Sequence, residues 1–178
     1  MSRIRITGGQ WRSRLIKVAD SPKELRPTPD RVRVTLFNWL GQDLTGLSCL
    51  DLFAGSGILG FEAASRGAER VTLIEQDQGA YAMLRQNAQA LDSPKLELIR
   101  TDAVKFADST AQRYDLIFLD PPFRHGWIER IAPLLQRLAN PGARLYVEAE
   151  RAVDTVGEWR SVRQGRAGQV AYQLLEQA

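Results

Sequence analysis

The chain has little cysteine, little histidine, little lysine and no long apolar run. Its one cysteine, Cys49, excludes an intrachain disulfide, and its apolar neighbours mark it as a small core residue. One cysteine and one histidine, His125, are too few for a zinc centre, and no metal site is expected. No stretch approaches the about 20 apolar residues that cross a bilayer. The first residues, Met1-Ser2-Arg3-Ile4-Arg5-Ile6, have no long apolar region behind them, so a cleaved signal peptide is not expected. Internal repeats and low-complexity tracts are absent too. Together these absences argue against membrane proteins, disulfide scaffolds and zinc enzymes, and the expectation is a soluble cytoplasmic chain.

What is present is a 178-residue chain, 44% hydrophobic, enough for one domain with a small extension. The net charge of +3 is unevenly placed. Residues 1–40 carry nine basic and three acidic side chains, and the rest of the chain is slightly acidic. Arginine supplies 20 of the 24 cations, and its planar fork suits phosphates and bases. A basic arm on an acidic body points to a polyanionic partner. A solvated charged surface is the plainer alternative.

Residues 3–18 alternate apolar and polar about Gly8-Gly9, which predicts a hairpin with Trp11 and arginines in its loop. A polar link, 19–27, follows. Thr28-Pro29 is read as a helix N-cap with proline in the first turn, followed by Val32, Leu36 and Leu40 at helical spacing and Gly41 as a stop. From Ser48 strands alternate with helices: strands over 48–53, 71–75, 96–100, 115–119 and 143–149, helices over 78–92 and 127–139. This pattern demands a parallel sheet covered on both faces. Residues 159–163 and 170–175 read as a closing antiparallel hairpin. The expected division is a basic arm over 1–27 and an α/β, doubly wound domain over 28–178.

Two loops carry the chemistry. The first, Asp51-Leu52-Phe53-Ala54-Gly55-Ser56-Gly57, joins the first parallel strand to its helix, where glycines permit tight turns and close ligand approach. Ligands in such sheets sit at the carboxyl ends of strands. Glu75, closing the next strand, is placed to accept from ribose hydroxyls, and Asp102 to approach an adenine. Gly55-x-Gly57-x-x-Gly60 also fits the dinucleotide fingerprint, so a nicotinamide oxidoreductase competes. Asp51, at the strand end, is placed to meet the ammonium of S-adenosylmethionine instead.

The second loop is Asp120-Pro121-Pro122-Phe123. An exocyclic base amine is a poor nucleophile because its lone pair is delocalised into the ring. Acceptors aimed at both amine hydrogens favour a pyramidal nitrogen; the Asp120 carboxylate and the Pro121 carbonyl supply them. Prolines stiffen the loop and remove donors. Phe123 offers a face for an extruded base. A rigid proline turn with no catalytic role is the alternative. The loop leaves adenine, cytosine, guanine and a protein glutamine open as acceptors.

Phe53-Ala54-Gly55-Ser56-Gly57 resembles the first motif of class I methyltransferases. Nearly the whole chain resembles the bacterial 16S ribosomal RNA guanine-N2 methyltransferases. The resemblance is carried by Arg3-Ile4-Arg5-Ile6-Thr7-Gly8-Gly9, Leu25-Arg26-Pro27-Thr28, Asp30-Arg31-Val32-Arg33, Thr35 to Leu40, the two loops, Tyr146-Val147-Glu148 and Gly168 to Tyr172. It implies a seven-stranded, mostly parallel Rossmann-like sheet. It implies S-adenosylmethionine held by Asp51, Phe53, Ala54, Gly55, Gly57, Glu75, Asp102 and Ala103. Asp120, Pro121 and Phe123 would be catalytic. Arg26 and Thr28 would sit near the pocket mouth. The residues expected to contact RNA are Arg3, Arg5, Trp11, Arg12, Arg14, Arg26, Arg31 and Arg33, with hairpin packing the alternative for Trp11 and helix solvation for Arg31 and Arg33. The implied partner is 16S ribosomal RNA in the small subunit or an assembly intermediate, met by a monomer. Val34 departs from the family, which has Glu there. A non-catalytic RNA-binding assembly factor is the remaining alternative, and the intact Asp51, Glu75 and Asp120 speak against it.

Overall fold

The strand–helix alternation from Ser48 onward becomes one eight-stranded sheet in the computed structural model, which describes residues 2–20 and 27–178. The arm forms β1 (Ser2–Arg5) and β2 (Leu15–Val18), an antiparallel two-stranded sheet of its own. Helix α1 (Asp30–Leu40) follows. Then come β3 (Ser48–Asp51), α2 (Ile58–Ser65), β4 (Arg70–Ile74), α3 (Gln78–Leu91), β5 (Leu96–Ile99), α4 (Ala103–Ser109) and β6 (Tyr114–Leu119). The C-terminal part holds α5 (Trp127–Ile131), α6 (Leu135–Leu138), β7 (Ala139–Ala149), β8 (Thr155–Val156), β9 (Trp159–Ala167) and β10 (Val170–Gln177).

The sheet order is β5-β4-β3-β6-β7-β10-β9-β8. Strands β3 to β7 are parallel, and β10 inserts antiparallel between β7 and β9. The chain winds from β3 outward through β4 and β5, then returns to β6 on the other side of β3. The winding reverses there, opening a crevice at the carboxyl ends of β3 and β6. The strand beyond the expected seven is β8, two residues paired with β9 at the edge.

Both faces of the central strands are buried, and alternation sends their side chains into two cores. Cys49, Leu116 and Phe118 join Leu36, Phe37, Phe61 and Leu84 on one side. Leu50, Ile117 and Leu119 join Leu135, Leu138 and Trp159 on the other. Burial, with Asp115 and Arg144 lesser influences, pushes the Cys49 thiol up to about 12, leaving it an inert core group.

Two helix readings are corrected. The apolar spacing over 127–139 does not give one helix: Pro133 lacks an N–H, so α5 ends at Ile131, a 3₁₀ turn covers Ala132–Leu134, and Ala139 already belongs to β7. Thr28 is not the N-cap of α1. Pro29 holds that position without a side-chain cap, and the Thr28 hydroxyl is directed elsewhere.

The arm is not a free appendage. Ile6, Trp11 and Ile16 are buried in the same core as α1, α2 and α3. Gly9, at φ +79°, lies where a Cβ would collide with the Ser65 carbonyl, so only glycine lets the hairpin approach α2 this closely. The Asn87 amide accepts from the Lys17 N–H at 3.0 Å and donates to its carbonyl at 2.8 Å, pairing with β2 as a strand would. Helix α2 is buried on every side, and Glu62 within it is fully buried. That carboxylate accepts from the Thr7 N–H and hydroxyl, from Arg66 Nη1 at 2.7 Å and from Arg33 Nη1 at 2.7 Å. Two guanidiniums compensate one buried carboxylate, which is the condition under which such burial is tolerated.

Candidate active site

At the crevice between β3 and β6 lies a cleft of about 590 Å³. Its walls bring together Asp51, Phe53, Ala54 and Gly55 of the first loop, Asp120, Pro121 and Pro122 of the second, and Glu75 and Ala103 that follow β4 and β5. Gly57 stands behind this wall at φ +87°, its missing Cβ leaving room for the side chains of Leu84 and Phe61. Its positive φ turns the chain into α2.

Glu75 is held by its own loop. One oxygen accepts from the Gly55 N–H at 3.0 Å and the other from the Asp77 N–H at 2.9 Å. Each keeps a second lone pair for a hydroxyl donor. Asp102 caps α4, accepting from the Lys105 N–H at 3.0 Å, and its neighbours Thr101 and Ala103 line the cleft in its place.

Asp51 is 1% exposed, and its Oδ1 has no hydrogen-bond partner. Burial is the main cause that pushes this carboxyl up to about 7, with the charges of Glu75 and Glu148 adding to the rise and the nearby Gly60 and Phe53 N–H groups opposing it. An unpartnered carboxylate oxygen lining a cleft calls for a cationic donor, and the ammonium of an amino-acid group is one.

Asp120 follows β6 at the cleft floor. Leu119 pairs with Val147, so the next residues, Asp120 and Glu148, stand side by side at the ends of β6 and β7. Their carboxyls are within hydrogen-bonding reach. Thr28 Oγ1 donates to Glu148 Oε2 at 2.6 Å, both groups being buried. Burial first, then the charge of Glu148, holds the Asp120 carboxyl well above the usual range. Burial also raises Glu148, against the hydrogen-bonding influence of Asp120 and Thr28 and the nearby Tyr146 hydroxyl. Asp51, Asp120 and Glu148 thus end three neighbouring strands, and no ion pair among the described residues involves any of them.

Beyond the cleft the proline loop continues to Phe123, half-buried and outside the lining, and to Arg124 at φ +69°. Trp127 meets the Phe53 ring edge-on at 5.3 Å, and the Arg130 guanidinium lies 4.2 Å over Trp127. His125 is exposed.

The basic residues divide. Arg3, Arg5, Arg12, Arg14 and Arg31 are exposed. Arg33 is not available to RNA: it is 2% exposed and donates to Glu62, to the Arg5 carbonyl at 2.7 Å and to the Thr28 carbonyl at 2.9 Å. Trp11, 7% exposed, packs into the core, and its backbone N–H donates to Ser65 Oγ at 2.9 Å. A helix position and a loop position gave no sign of these internal partners. Arg26 lies outside the described residues. Val34 is an exposed position on α1. Thr28, which the resemblance puts near the pocket mouth, does line the cleft, but sequence reasoning missed its hydrogen bond to Glu148 and the place of Glu148 beside Asp120. The only signal was their place in motifs, and their contact spans 120 residues. It also missed Ile74 and Met83 in the cleft wall.

Comparison with known proteins identifies the family of the chain. The family described as conserved hypothetical protein 95 matches residues 4–176. The chain is 45% identical over 179 residues to "Ribosomal RNA small subunit methyltransferase D" of Escherichia coli (strain K12), covering 97% of this chain and 89% of that one. It is 39% identical to the Haemophilus influenzae protein of the same name, covering 97% and 93%. The solved structure of the Escherichia coli protein yhhF matches with a TM-score of 0.88 and 42% identity, covering 99% of this chain and 98% of that one.

Proposed function

Since the chain belongs to the conserved hypothetical protein 95 family and is a methyltransferase, we propose that it moves a methyl group from S-adenosylmethionine to the exocyclic N2 amine of one guanine in the 16S ribosomal RNA of the small subunit. The observation that carries this reading is the single cleft that combines a partnerless Asp51 oxygen with the Asp120-Pro121-Pro122 floor. The residues fit the donor. Asp51 would hold its ammonium, Glu75 its ribose hydroxyls, and Phe53, Ala54, Gly55, Gly57 and Ala103 its contour. Asp102 contributes by capping α4 and so fixing Ala103 against the cleft. When bound, S-adenosylmethionine supplies an electrophilic methyl group.

The protein's own work is alignment and electrostatics. The Asp120 carboxyl and the Pro121 carbonyl accept the two amine hydrogens and turn the nitrogen lone pair toward the cofactor side. Phe123, outside the cleft, supports the extruded base. Exposed Arg3, Arg5, Arg12, Arg14 and Arg31 form the phosphate-binding face, and Arg26 is a further RNA contact on the strength of the sequence alone. The partner is the small subunit or an assembly intermediate, because a chain this small reads a prepared RNA surface more readily than a long sequence, and RNA targets are splayed from single-stranded segments. The protein acts as a cytoplasmic monomer. Among the described residues, no helix is long and apolar enough to cross a membrane.

A tritiated methyl donor with undermethylated small subunits tests the reading: label belongs on the guanine amino group, and its absence rejects the assignment. Asp120→Ala is expected to abolish turnover while calorimetry still detects cofactor binding. Retained turnover would remove Asp120 from the chemistry.

A further inference from the structure

The family motif explains Asp120 and leaves its neighbours Thr28 and Glu148 without a role. Two neighbouring carboxyls, Glu148 buried and Asp120 partly buried, cannot both be ionised within hydrogen-bonding reach without strong repulsion. A hydrogen bond between them requires a proton, because ionised carboxylates only accept. No cation among the described residues forms an ion pair with either. Among the described residues, the groups that face the pair are the Thr28 hydroxyl from the segment before α1, Asp51 from β3, Tyr146 from β7 itself, and Tyr172, which is opposite Glu148 on β10. Of these only Asp51 can carry charge near neutrality, where it is partly ionised, and that charge is negative. The Tyr146 hydroxyl is buried beside Glu148 without a well-formed hydrogen bond. One further contact fixes the asymmetry of the pair. Arg33 grips the Thr28 carbonyl at 2.9 Å, and Thr28 in turn donates its hydroxyl to Glu148 at 2.6 Å. The short donated hydrogen bond favours the negative charge on Glu148; the Thr28 hydroxyl also eases the charge on Asp120, but as the least of the influences there, so the proton is placed on Asp120.

We propose that Glu148, anchored by Thr28, is a positioning residue for the methyl transfer: it holds a single shared proton on the far oxygen of Asp120 and accepts that proton when the substrate amine releases its own. This rests on the methyltransferase reading above. The amine nitrogen forms a bond to the methyl carbon as the carbon–sulfur bond breaks, leaving a neutral thioether and a positively charged nitrogen. That nitrogen gives a proton to the near oxygen of Asp120. The proton on the far oxygen moves to Glu148. The sulfonium charge is thereby cancelled by the Glu148 charge, and the pair ends with two protons, one of which leaves to water after product departs. Asp120 thus acts with its near oxygen as an acceptor throughout.

The test has one readout that needs no ligand. Infrared difference spectroscopy of the ligand-free protein at pH 8, wild type minus Glu148→Gln, is expected to show a protonated carboxyl band present in the wild type and lost in the variant, because the glutamine amide donates to Asp120 and lets it ionise. Asp51→Asn is expected to leave that band in place. In turnover with small subunits, Glu148→Gln is expected to lower kcat by about 10-fold to 100-fold with the RNA KM within about twofold. A wild type without the band, or a variant with wild-type kcat and pH profile, overturns the proposal. Thr28→Val gives a near-isosteric check if the glutamine variant does not fold: loss of the hydroxyl donor makes Glu148 bind its proton more tightly, so the acid limb of the kcat profile moves to higher pH, and an unmoved limb overturns the proposal. Failure of the methyltransferase reading would look different, since the wild type itself would then transfer no label to RNA.

Discussion

A carboxylate with one oxygen left unpartnered inside a protein is costly, and Asp51 has such an oxygen beside the cleft. Its cost has a definite pH dependence. The folded state raises its carboxyl to about 7, whereas the unfolded chain releases the proton near 3.9. The stability this group contributes is therefore complete below about pH 4 and is lost as pH rises through 7. Asp51→Asn removes that loss. Its thermal midpoint is expected to exceed the wild type's by much more at pH 8 than at pH 5, a gain on the order of a few kcal/mol at pH 8. Its affinity for S-adenosylmethionine, followed by calorimetry, is expected to fall. Equal gains at the two pH values would show that burial does not perturb Asp51. The contrast is the usual one between stability and function: the residue that would bind a cation is one the fold by itself holds at a cost. Asp51 and Asp120 were legible as chemical residues because strand ends followed by glycine or proline loops mark the ligand edge of a parallel sheet. The contact between Thr28 and Glu148 was not, since nothing in their own neighbourhoods says that they touch.

At the scale of elements, alternation and helical spacing located every strand of the parallel sheet to within a few residues. The errors have single causes. Pro133 breaks the apolar helix pattern after Ile131, and β7 starts at Ala139, ahead of its apolar run, because β6 continues to pair there, Tyr114 with Ala139. Sequence alone makes the arm hairpin a basic extension, and only the packing of Ile6, Trp11 and Ile16 makes it part of the core. Gly9 tests this. Gly9→Ala asks for a Cβ at positive φ against the Ser65 carbonyl and is expected to destabilise the whole protein by about 2 kcal/mol or more in urea unfolding. A loss below a few tenths would mean that the hairpin is docked only loosely. By the same logic, removing residues 1–24 uncovers the buried side of α2, so truncation cannot separate RNA binding from folding, and surface charge substitutions are the cleaner probe.

Across the whole molecule, the exposed arginines of the arm and α1 carry the positive side of the chain's charge balance, while Arg33 is sealed inside. Binding to small-subunit RNA should therefore weaken steeply with salt. Arg3→Ala with Arg12→Ala is expected to reduce the slope of log affinity against log salt by about 0.7 for each phosphate that is no longer neutralised. Arg33→Met is expected to lower stability by about 3–5 kcal/mol, since it leaves Glu62 buried with one partner fewer, and to leave the slope alone. An unchanged slope in the arginine double variant would place the RNA on another face. The linear chain by itself determined the alternating architecture, the two loops and the excess of positive charge near its start, because periodicity, turn chemistry and charge are local properties. Which arginines face solvent, that Thr28 leaves its helix to hold Glu148, and that Asp51, Asp120 and Glu148 end side by side were decided only by the tertiary structure. The reason is the sheet order: β3, β6 and β7 are neighbours in space across long intervening segments, and contacts of that kind leave no periodic trace in the sequence.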